Sequence, residues 1–418
     1  MMHGTPQTKK VSLVLQELFF GPPSSLCLTR FGAVPVGGLT SAGVILVIGM
    51  RALGCGLRWW FNSIHMNAQK IPLSLFDYHL PLSLIAQSPQ EPRDYSRLMI
   101  LDRETGVRQH KHFFDIQDEL KAGDVLVINQ TKVFRARLHA QTKEGVIVEI
   151  FLLRDFVTHW QTLIRPGKKV KEGDHLFFGE SQIKASVLHK HTDGIVDVCF
   201  DCSSTEVLAY ANQFGEVPVP PYIHAQPDPD RYQTVYADKT GSVAAPTAGF
   251  HFTSELLEAI SKKGVEIVPI SLHVGIGTFR PIHTEFIEDH VMHAEWVEVN
   301  PSATQIIMKA KQEGRRVIAV GTTSLRTLEG VAKMFDGTLP TEGFSGDINL
   351  YICPGFKFQI VDVLLTNFHL PKSSLLVLVS AFAGRGHILA AYREAIDQGY
   401  RFFSFGDAML ITKTDSDH

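Results

Sequence analysis

Val146-Ile-Val-Glu-Ile-Phe-Leu-Leu153, His159-Trp-Gln-Thr-Leu-Ile164, His175-Leu-Phe-Phe178, Ile183-Lys-Ala-Ser-Val-Leu188 and Ile195-Val-Asp-Val-Cys-Phe200 are short runs rich in β-branched and aromatic residues. The turns Arg165-Pro-Gly-Lys168, Lys171-Glu-Gly-Asp174 and Thr192-Asp-Gly194 separate them at close spacing. That texture, confined to the stretch from Leu138 to Val217, predicts a small antiparallel barrel or sandwich. Outside it the pattern changes. Upstream, Arg97-Leu-Met-Ile-Leu-Asp102 and Asp124-Val-Leu-Val-Ile-Asn129 are apolar runs bounded by turn residues, as buried strands are. Downstream, strands and helices alternate: helix 254–263, strand 265–272, helix 302–313, strand 316–320 and a helix from Ser324 to Phe335. The last stretch adds a strand at 359–365, an apolar segment at 373–382, a helix at 388–398 and a strand at 402–405. This is α/β organisation. The Pro-rich Val217-Pro-Val-Pro-Pro-Tyr222 reads as the return linker from an inserted domain. The expected architecture is an α/β main domain with a mixed sheet (66–136 and 220–418), interrupted by an all-β insert (137–219).

The chain has 418 residues, 44% hydrophobic and 20% charged, so disorder does not dominate it. A formal net charge of -3 leaves no global basic field, and any nucleic-acid partner must be met by a local patch. Five cysteines are few and odd in number, which disfavours a disulfide-stapled secreted domain and fits a reducing cytoplasm. Cys199 and Cys202 form a lone C-x-x-C without a second pair or a flanking His, and are read as structural. The first 65 residues differ from the rest: Lys9, Lys10, Arg30, Arg51 and Arg58 stand against the single acid Glu17, with many glycines and no clean strand or helix period. Phe31 to Met50 carries no charge but holds five glycines and Pro35. The favoured reading is an extension, disordered or translated upstream of a start at Met66. A membrane anchor is the alternative, and a signal peptide is disfavoured by the position of the apolar run.

Ser242-Val-Ala-Ala-Pro-Thr-Ala-Gly-Phe-His-Phe-Thr253 runs from a strand-like start through small residues to Thr253, a good N-cap with Glu255 inside the helix. Small residues admit a ligand to the backbone, and a helix N-terminus attracts an anion. Leu272-His-Val-Gly-Ile-Gly-Thr-Phe-Arg-Pro281 puts Gly275 and Gly277 at a strand end beside His273 and Thr278, without the third glycine of a dinucleotide fingerprint. His290-Val-Met-His293-Ala-Glu295 invites a metal reading, but the spacing suits acid/base or hydrogen-bonding use better. Gly321-Thr-Thr-Ser324 joins a strand to a helix carrying Arg326 and Glu329. Leu365-Thr-Asn-Phe-His-Leu-Pro371 and Phe405-Gly-Asp-Ala-Met409 place polar groups at strand ends, where α/β enzymes hold ligands.

Taken in order, the blocks SRLMILDRETG (from Ser96), VLVINQTKVFRARL (from Val125), APTAGFHFT, LHVGIGTFRP, HVMHAE, AVGTTSLRTLE, VDVLLTNFHLPKSSLL and YRFFSFGDAM resemble the S-adenosylmethionine:tRNA ribosyltransferase-isomerase family of queuosine biosynthesis. The resemblance runs from Met66 to Thr412. It implies an α/β domain with an open-barrel-like mixed sheet, interrupted by a six-stranded β-barrel. It also implies transfer and isomerisation of the ribosyl part of S-adenosylmethionine onto the aminomethyl group of a 7-deazaguanine base at the tRNA wobble position. Epoxyqueuosine results, with adenine and methionine released. No cofactor beyond S-adenosylmethionine, no metal and no membrane are implied, and a cytoplasmic monomer is expected. Where the family usually has Asn-Asp-Thr-Arg this chain has Asn129-Gln130-Thr131-Lys132. The proline before Ala-Arg-Leu is Arg135, and Ser324-Leu325 replaces two valines.

The sulfonium acidifies the adjacent ribose methylene, so a positioned base can start ring opening, and the attacking amine must be neutral. Imidazole suits both transfers. The expected proton-transfer groups are among His251, His273, His293 and His369, with Glu295 and Asp407 assisting. The matched blocks give as substrate-binding candidates Arg97, Asn129, Thr131, Pro246, Thr247, Gly249, Gly275, Gly277, Thr278, Phe279, Gly321, Thr322, Thr323, Arg326 and Asn367. Phe250, Phe252 and Phe279 are candidate aromatic faces for the sulfonium. Two basic clusters, Lys132 with Arg135 and Arg137, and Arg165 with Lys168, Lys169 and Lys171, are the expected tRNA contacts. The competing readings are a metal-dependent hydrolase using His273, His290, His293 and Glu295, and a non-catalytic RNA-binding module built on the insert.

Overall fold

The computed structural model describes residues 44–53, 56–65, 70–179, 181–218, 222–223, 228, 231–275 and 282–413. Gly277, Thr278 and Phe279 lie outside the described residues, as do residues 1–43 of the extension. The chain forms two compact units, Met1–Gln69 and Lys70–His418. In the first, β1 (Val44–Leu53) and β2 (Gly56–His65) pair antiparallel, with Val44 opposite His65. These two strands lie within the extension, where the sequence has no clean strand period.

In the second unit the elements follow as β3 (Arg97–Asp102), β4 (Arg108–His112), α1 (Ile116–Glu119), β5 (Val125–Asn129) and β6 (Thr131–Val133). Then come β7 (Arg137–Thr142), β8 (Ile147–Asp155), β9 (Trp160–Arg165), β10 (His175–Phe177), β11 (Lys184–Lys190), β12 (Ile195–Phe200) and α2 (Ser204–Phe214). The chain returns through β13 (Lys239–Ser242), α3 (Ser254–Lys262), β14 (Glu266–Leu272), β15 (Glu295–Val299), α4 (Pro301–Gln312), β16 (Val317–Val320) and α5 (Gly321–Met334). It ends with β17 (Phe344–Ile348), β18 (Val363–Asn367), α6 (Ser374–Ala383), α7 (Arg385–Asp397) and β19 (Ala408–Thr412).

Strands β7 to β12 close into a six-stranded antiparallel barrel in the order β10-β11-β12-β9-β8-β7. Its interior is supplied by alternate residues, for example Val148, Ile150 and Leu152 of β8 and Val196 and Val198 of β12. The first of these strands, Arg-Leu-His-Ala-Gln-Thr, escapes a hydropathy reading because its inward residues include the small Ala140 and the polar Thr142. The insert also carries a helix that the all-β expectation lacked. Ser203 caps α2 by accepting from the Glu206 N–H while Glu206 returns the bond, and Val207 and Ala211 pack into the barrel core.

The main sheet has nine strands, ordered β17-β15-β14-β5-β16-β18-β19-β3-β4. Strands β14, β5, β16 and β18 run parallel, and β19 runs antiparallel to β18. The central strands are apolar on both faces because both are covered. On one face Val125, Val127, Val317, Ala319 and Leu364 meet the helices α4 to α7; on the other Leu126, Ile128, Ile318 and Leu365 meet Phe252 and α3. The strand expected at Phe402 to Phe405 is instead a tight turn with Phe403 at φ 76°, and the strand follows at β19. Aromatic content there reflects burial, Phe402 being wholly enclosed, rather than extended backbone.

Candidate active site

The parallel strands bring Asn129, His273, Gly321 and Asn367 to one edge of the sheet. Pairing of Asn367 with Ala408, and of Ala408 with Leu98, adds the start of β19 and of β3. Ligands in open α/β sheets bind outside these carboxyl ends. Two cavities lie there and share Val274.

The larger, about 490 Å³, sits between barrel and sheet. Leu153, Arg154, Asp155, Trp160 and Gln161 of the β8–β9 hairpin form one wall, and His273 to Gly275 with Met292 to Trp296 form the other. The His273 ring lies 4.7 Å from that of Trp296. Space for it exists because residue 241 is glycine: a Cβ there would stand 2.3 Å from the imidazole. Trp160 is buried, and its indole N–H has no hydrogen-bond partner among the described residues. Arg154 also reaches out of the barrel to Asp347 on β17, 2.6 Å away.

The smaller cavity, about 50 Å³, is lined by Pro246, Thr247, Gly321, Thr322, Thr323, Thr366, Asn367 and His369, among others. A relay of hydrogen bonds runs behind it. Thr247 Oγ1 donates to Asn367 Oδ1 at 2.9 Å, Asn367 Nδ2 donates to His251 Nε2 at 3.3 Å, and His251 Nδ1 meets Ser96 Oγ at 2.7 Å. With Nε2 accepting, the proton of this neutral ring sits on Nδ1 and is donated to Ser96. His369 Nε2 pairs with Thr366 Oγ1 at 3.0 Å, and its N–H donates to Tyr392.

Burial pushes His251 down to about 3, helped by Arg401 and Arg93; burial alone pushes His369 to about 3; and burial with Arg154 pushes His273 to about 4. These imidazoles are therefore neutral near pH 7. The unfolded chain, with ordinary values near 6.5, takes up protons in the window between 6.5 and 3 that the folded chain refuses. Stability is thus complete above about pH 6.5 and falls as the pH drops toward 3. Urea midpoints measured at pH 7 and pH 4.5 are expected to show this fall, and to show less of it in a His251→Gln variant; an equal fall in both would contradict it.

Glu295 and Arg326 form a buried ion pair, with Arg326 also donating to the Leu350 carbonyl at 3.3 Å. The other carboxylate oxygen accepts from the Gly275 N–H at 3.3 Å, which anchors the cavity wall. Asp407, expected to assist proton transfer, lines neither cavity. It accepts from the Arg97 N–H at 3.0 Å and the Arg401 N–H at 2.7 Å, so it ties the turn before β19 to β3. Arg97 is spent on the Gln398 carbonyl and on the face of Tyr400. Asn129 is spent on β14 and β6: its Nδ2 donates to the Leu272 carbonyl, and its Oδ1 accepts from the Leu272 and Thr131 N–H groups. Thr131 is buried beneath the site. Gly249 is required by packing, since a Cβ there would meet the Tyr236 hydroxyl at 1.9 Å. Phe250 and Phe252 belong to buried clusters.

Gln130 donates to Ser271 Oγ at 3.4 Å. Arg165, Lys168, Lys169 and Lys171 are exposed, with no ion pair among the described residues, whereas Arg137 pairs with Glu149 and Glu216. Lys132 is exposed and Arg135 half-buried. Cys199 is the penultimate residue of β12 and Cys202 lies in the turn after it, both as free thiols. Among the described residues no group of three or more His, Cys, Asp or Glu is placed to hold a metal ion, and no single helix is long and apolar enough to cross a membrane. The cavity-lining Trp160, Trp296, Arg154 and Asp155 were not found from sequence, because an aromatic residue on a strand reads first as core.

A family model described as queuosine biosynthesis protein matches residues 73–411. A curated relative, the S-adenosylmethionine:tRNA ribosyltransferase-isomerase of Heliobacterium modesticaldum, is 50% identical over 344 residues, covering 81% of this chain and 99% of that protein. A solved structure, the S-adenosylmethionine tRNA ribosyltransferase of Thermotoga maritima, is 39% identical and covers 81% of this chain and 100% of its own, with a TM-score of 0.48. The match over most of both chains shows that this chain belongs to the queuosine biosynthesis protein family, the S-adenosylmethionine:tRNA ribosyltransferase-isomerases.

Proposed function

We propose that this enzyme transfers the ribosyl part of S-adenosylmethionine onto the aminomethyl-deazaguanine base at the tRNA wobble position and isomerises it to epoxyqueuosine, releasing adenine and methionine. The observation that carries the proposal is the larger cavity. Trp296 borders it with an aromatic surface suited to flat bases, and His273, His293 and Glu295 stand in its wall. Aromatic faces also stabilise a sulfonium, by roughly 0.5 to 2 kcal/mol. His273, neutral near pH 7, is in the form that takes a proton from the methylene beside sulfur. His293 is the second candidate for proton transfer. His251 and His369 act as positioning residues for Asn367 and Thr366. Loss of that proton opens the ribose ring and expels adenine, the tRNA amine bonds to the opened ribosyl chain and loses its own proton, and methionine leaves by cleavage of the carbon–sulfur bond as the epoxide-bearing ring closes. The wobble base lies in a loop and can be splayed out into the cavity.

The exposed lysines of the β9–β10 turn follow the far end of β9 from Trp160. The strand itself carries the chain about 17 Å from Trp160 to Arg165, and the lysines follow. That distance suits contact with backbone phosphates a few nucleotides from the target base. Incubating the protein with S-adenosylmethionine and tRNA carrying the aminomethyl-deazaguanine base is expected to release adenine. Adenine release that ignores the tRNA, or none at all, would refute the proposal. Charge reversal of Lys168 and Lys169 is expected to weaken tRNA binding and flatten its slope against salt by about 1 to 2 units while S-adenosylmethionine binding stays unchanged. An unchanged slope would remove these lysines from the interface.

A further inference from the structure

Helix α5 starts at Gly321 with φ 85°, and no side chain among the described residues caps it. The first N–H groups of a helix have no partner within it, and they carry the positive end of its dipole. Gly321, Thr322 and Thr323 turn this end toward the smaller cavity. A second observation points to a ligand there. Thr323 is 8% exposed, and its hydroxyl is buried without a hydrogen-bond partner among the described residues. A Cβ on Gly321 would lie 3.3 Å from that hydroxyl and 3.6 Å from Ala248 Cβ, so the Thr323 oxygen borders the space the glycine leaves open. A buried hydroxyl left unpaired is unfavourable, and an acceptor entering the cavity would relieve it.

We infer that the smaller cavity is a carboxylate subsite, in which the α5 N–H groups and the Thr323 hydroxyl bind the α-carboxylate of S-adenosylmethionine while the adenosyl part occupies the larger cavity. The inference rests on the proposed function for the identity of the ligand. A volume of about 50 Å³ fits a carboxylate and excludes a nucleobase. Among the described residues no lysine or arginine lines it, and a phosphate is usually met by a cation. Val274, common to both cavities, places the two ends of one ligand side by side.

Decarboxylated S-adenosylmethionine keeps the sulfonium and the amine and lacks only the carboxylate, so paired titrations isolate the contact. Wild-type protein is expected to bind S-adenosylmethionine about tenfold or more tightly than the decarboxylated compound. Thr323→Val is expected to weaken S-adenosylmethionine by about tenfold and leave the decarboxylated compound unchanged, with Thr323→Ser restoring most of the loss. Thermal unfolding of each variant verifies that it is folded. Equal weakening of both compounds, or of neither, would overturn the subsite while leaving the proposed function intact. Failure of the wild-type protein to bind S-adenosylmethionine at all would overturn both.

Discussion

Replacing Arg326 by leucine is expected to destabilise the protein by about 3–5 kcal/mol, the cost of removing one charge from a buried ion pair. Arg326 is 2% exposed and Glu295 5%, so the pair is desolvated even though Glu295 borders the larger cavity. The double variant Arg326→Leu, Glu295→Leu is expected to regain most of that stability, because it removes both charges and both desolvation costs. Its activity should remain lost. Glu295 holds the Gly275 N–H, and without that anchor the wall that presents His273 is no longer fixed. Urea unfolding together with adenine release separates the two effects. A single variant that loses less than about 1 kcal/mol, the range of an exposed pair, would show that the pair is solvated in solution.

His273→Gln is expected to slow adenine release by about 10²- to 10⁴-fold, the usual contribution of a positioned acid or base, while S-adenosylmethionine still binds. The pH profile gives an independent readout. A base acts in its unprotonated form, so with His273 pushed down to about 4 the free enzyme should keep this limb of its rate flat above pH 5 and lose activity only below it. A profile that instead falls from pH 7 would assign the step to another group. Full single-turnover activity in both His273→Gln and His293→Gln would place proton transfer elsewhere.

The barrel and the alternating sheet were legible because their patterns are local: apolar runs of about four to eight residues with Gly-centred turns need no knowledge of distant contacts. The elements that escaped are those whose neighbours define them. β4, β6, β13, β15 and β17 are short or polar strands fixed by pairing, and α2 announced itself only through the Ser203 and Glu206 capping box. In the site, the blocks converge on the carboxyl-end edge of the sheet, but their spacing does not divide roles within it. Asp407 and Asn129 look chemical in sequence, yet hydrogen bonds to backbone groups consume them. Imidazole was chosen for a value near neutrality, and burial then moved three of the four rings well below it. Burial belongs to the fold, not to any spacing.

The open ends of the nine-stranded sheet bear on how the molecule coexists with copies of itself. An unpaired strand offers its backbone as a template for another chain, and a wide sheet has two such margins. Here one margin is β4, Arg-Gln-His-Lys-His, whose Arg108 and His110 are held by Glu394 and whose Lys111 is held by Glu119. The other is β17, where Asp347 is joined to Arg154 of the barrel. A foreign strand arriving at either side would have to displace these charges before making its first backbone bond, so the same ion pairs that fasten neighbouring elements also discourage aggregation in a crowded cell.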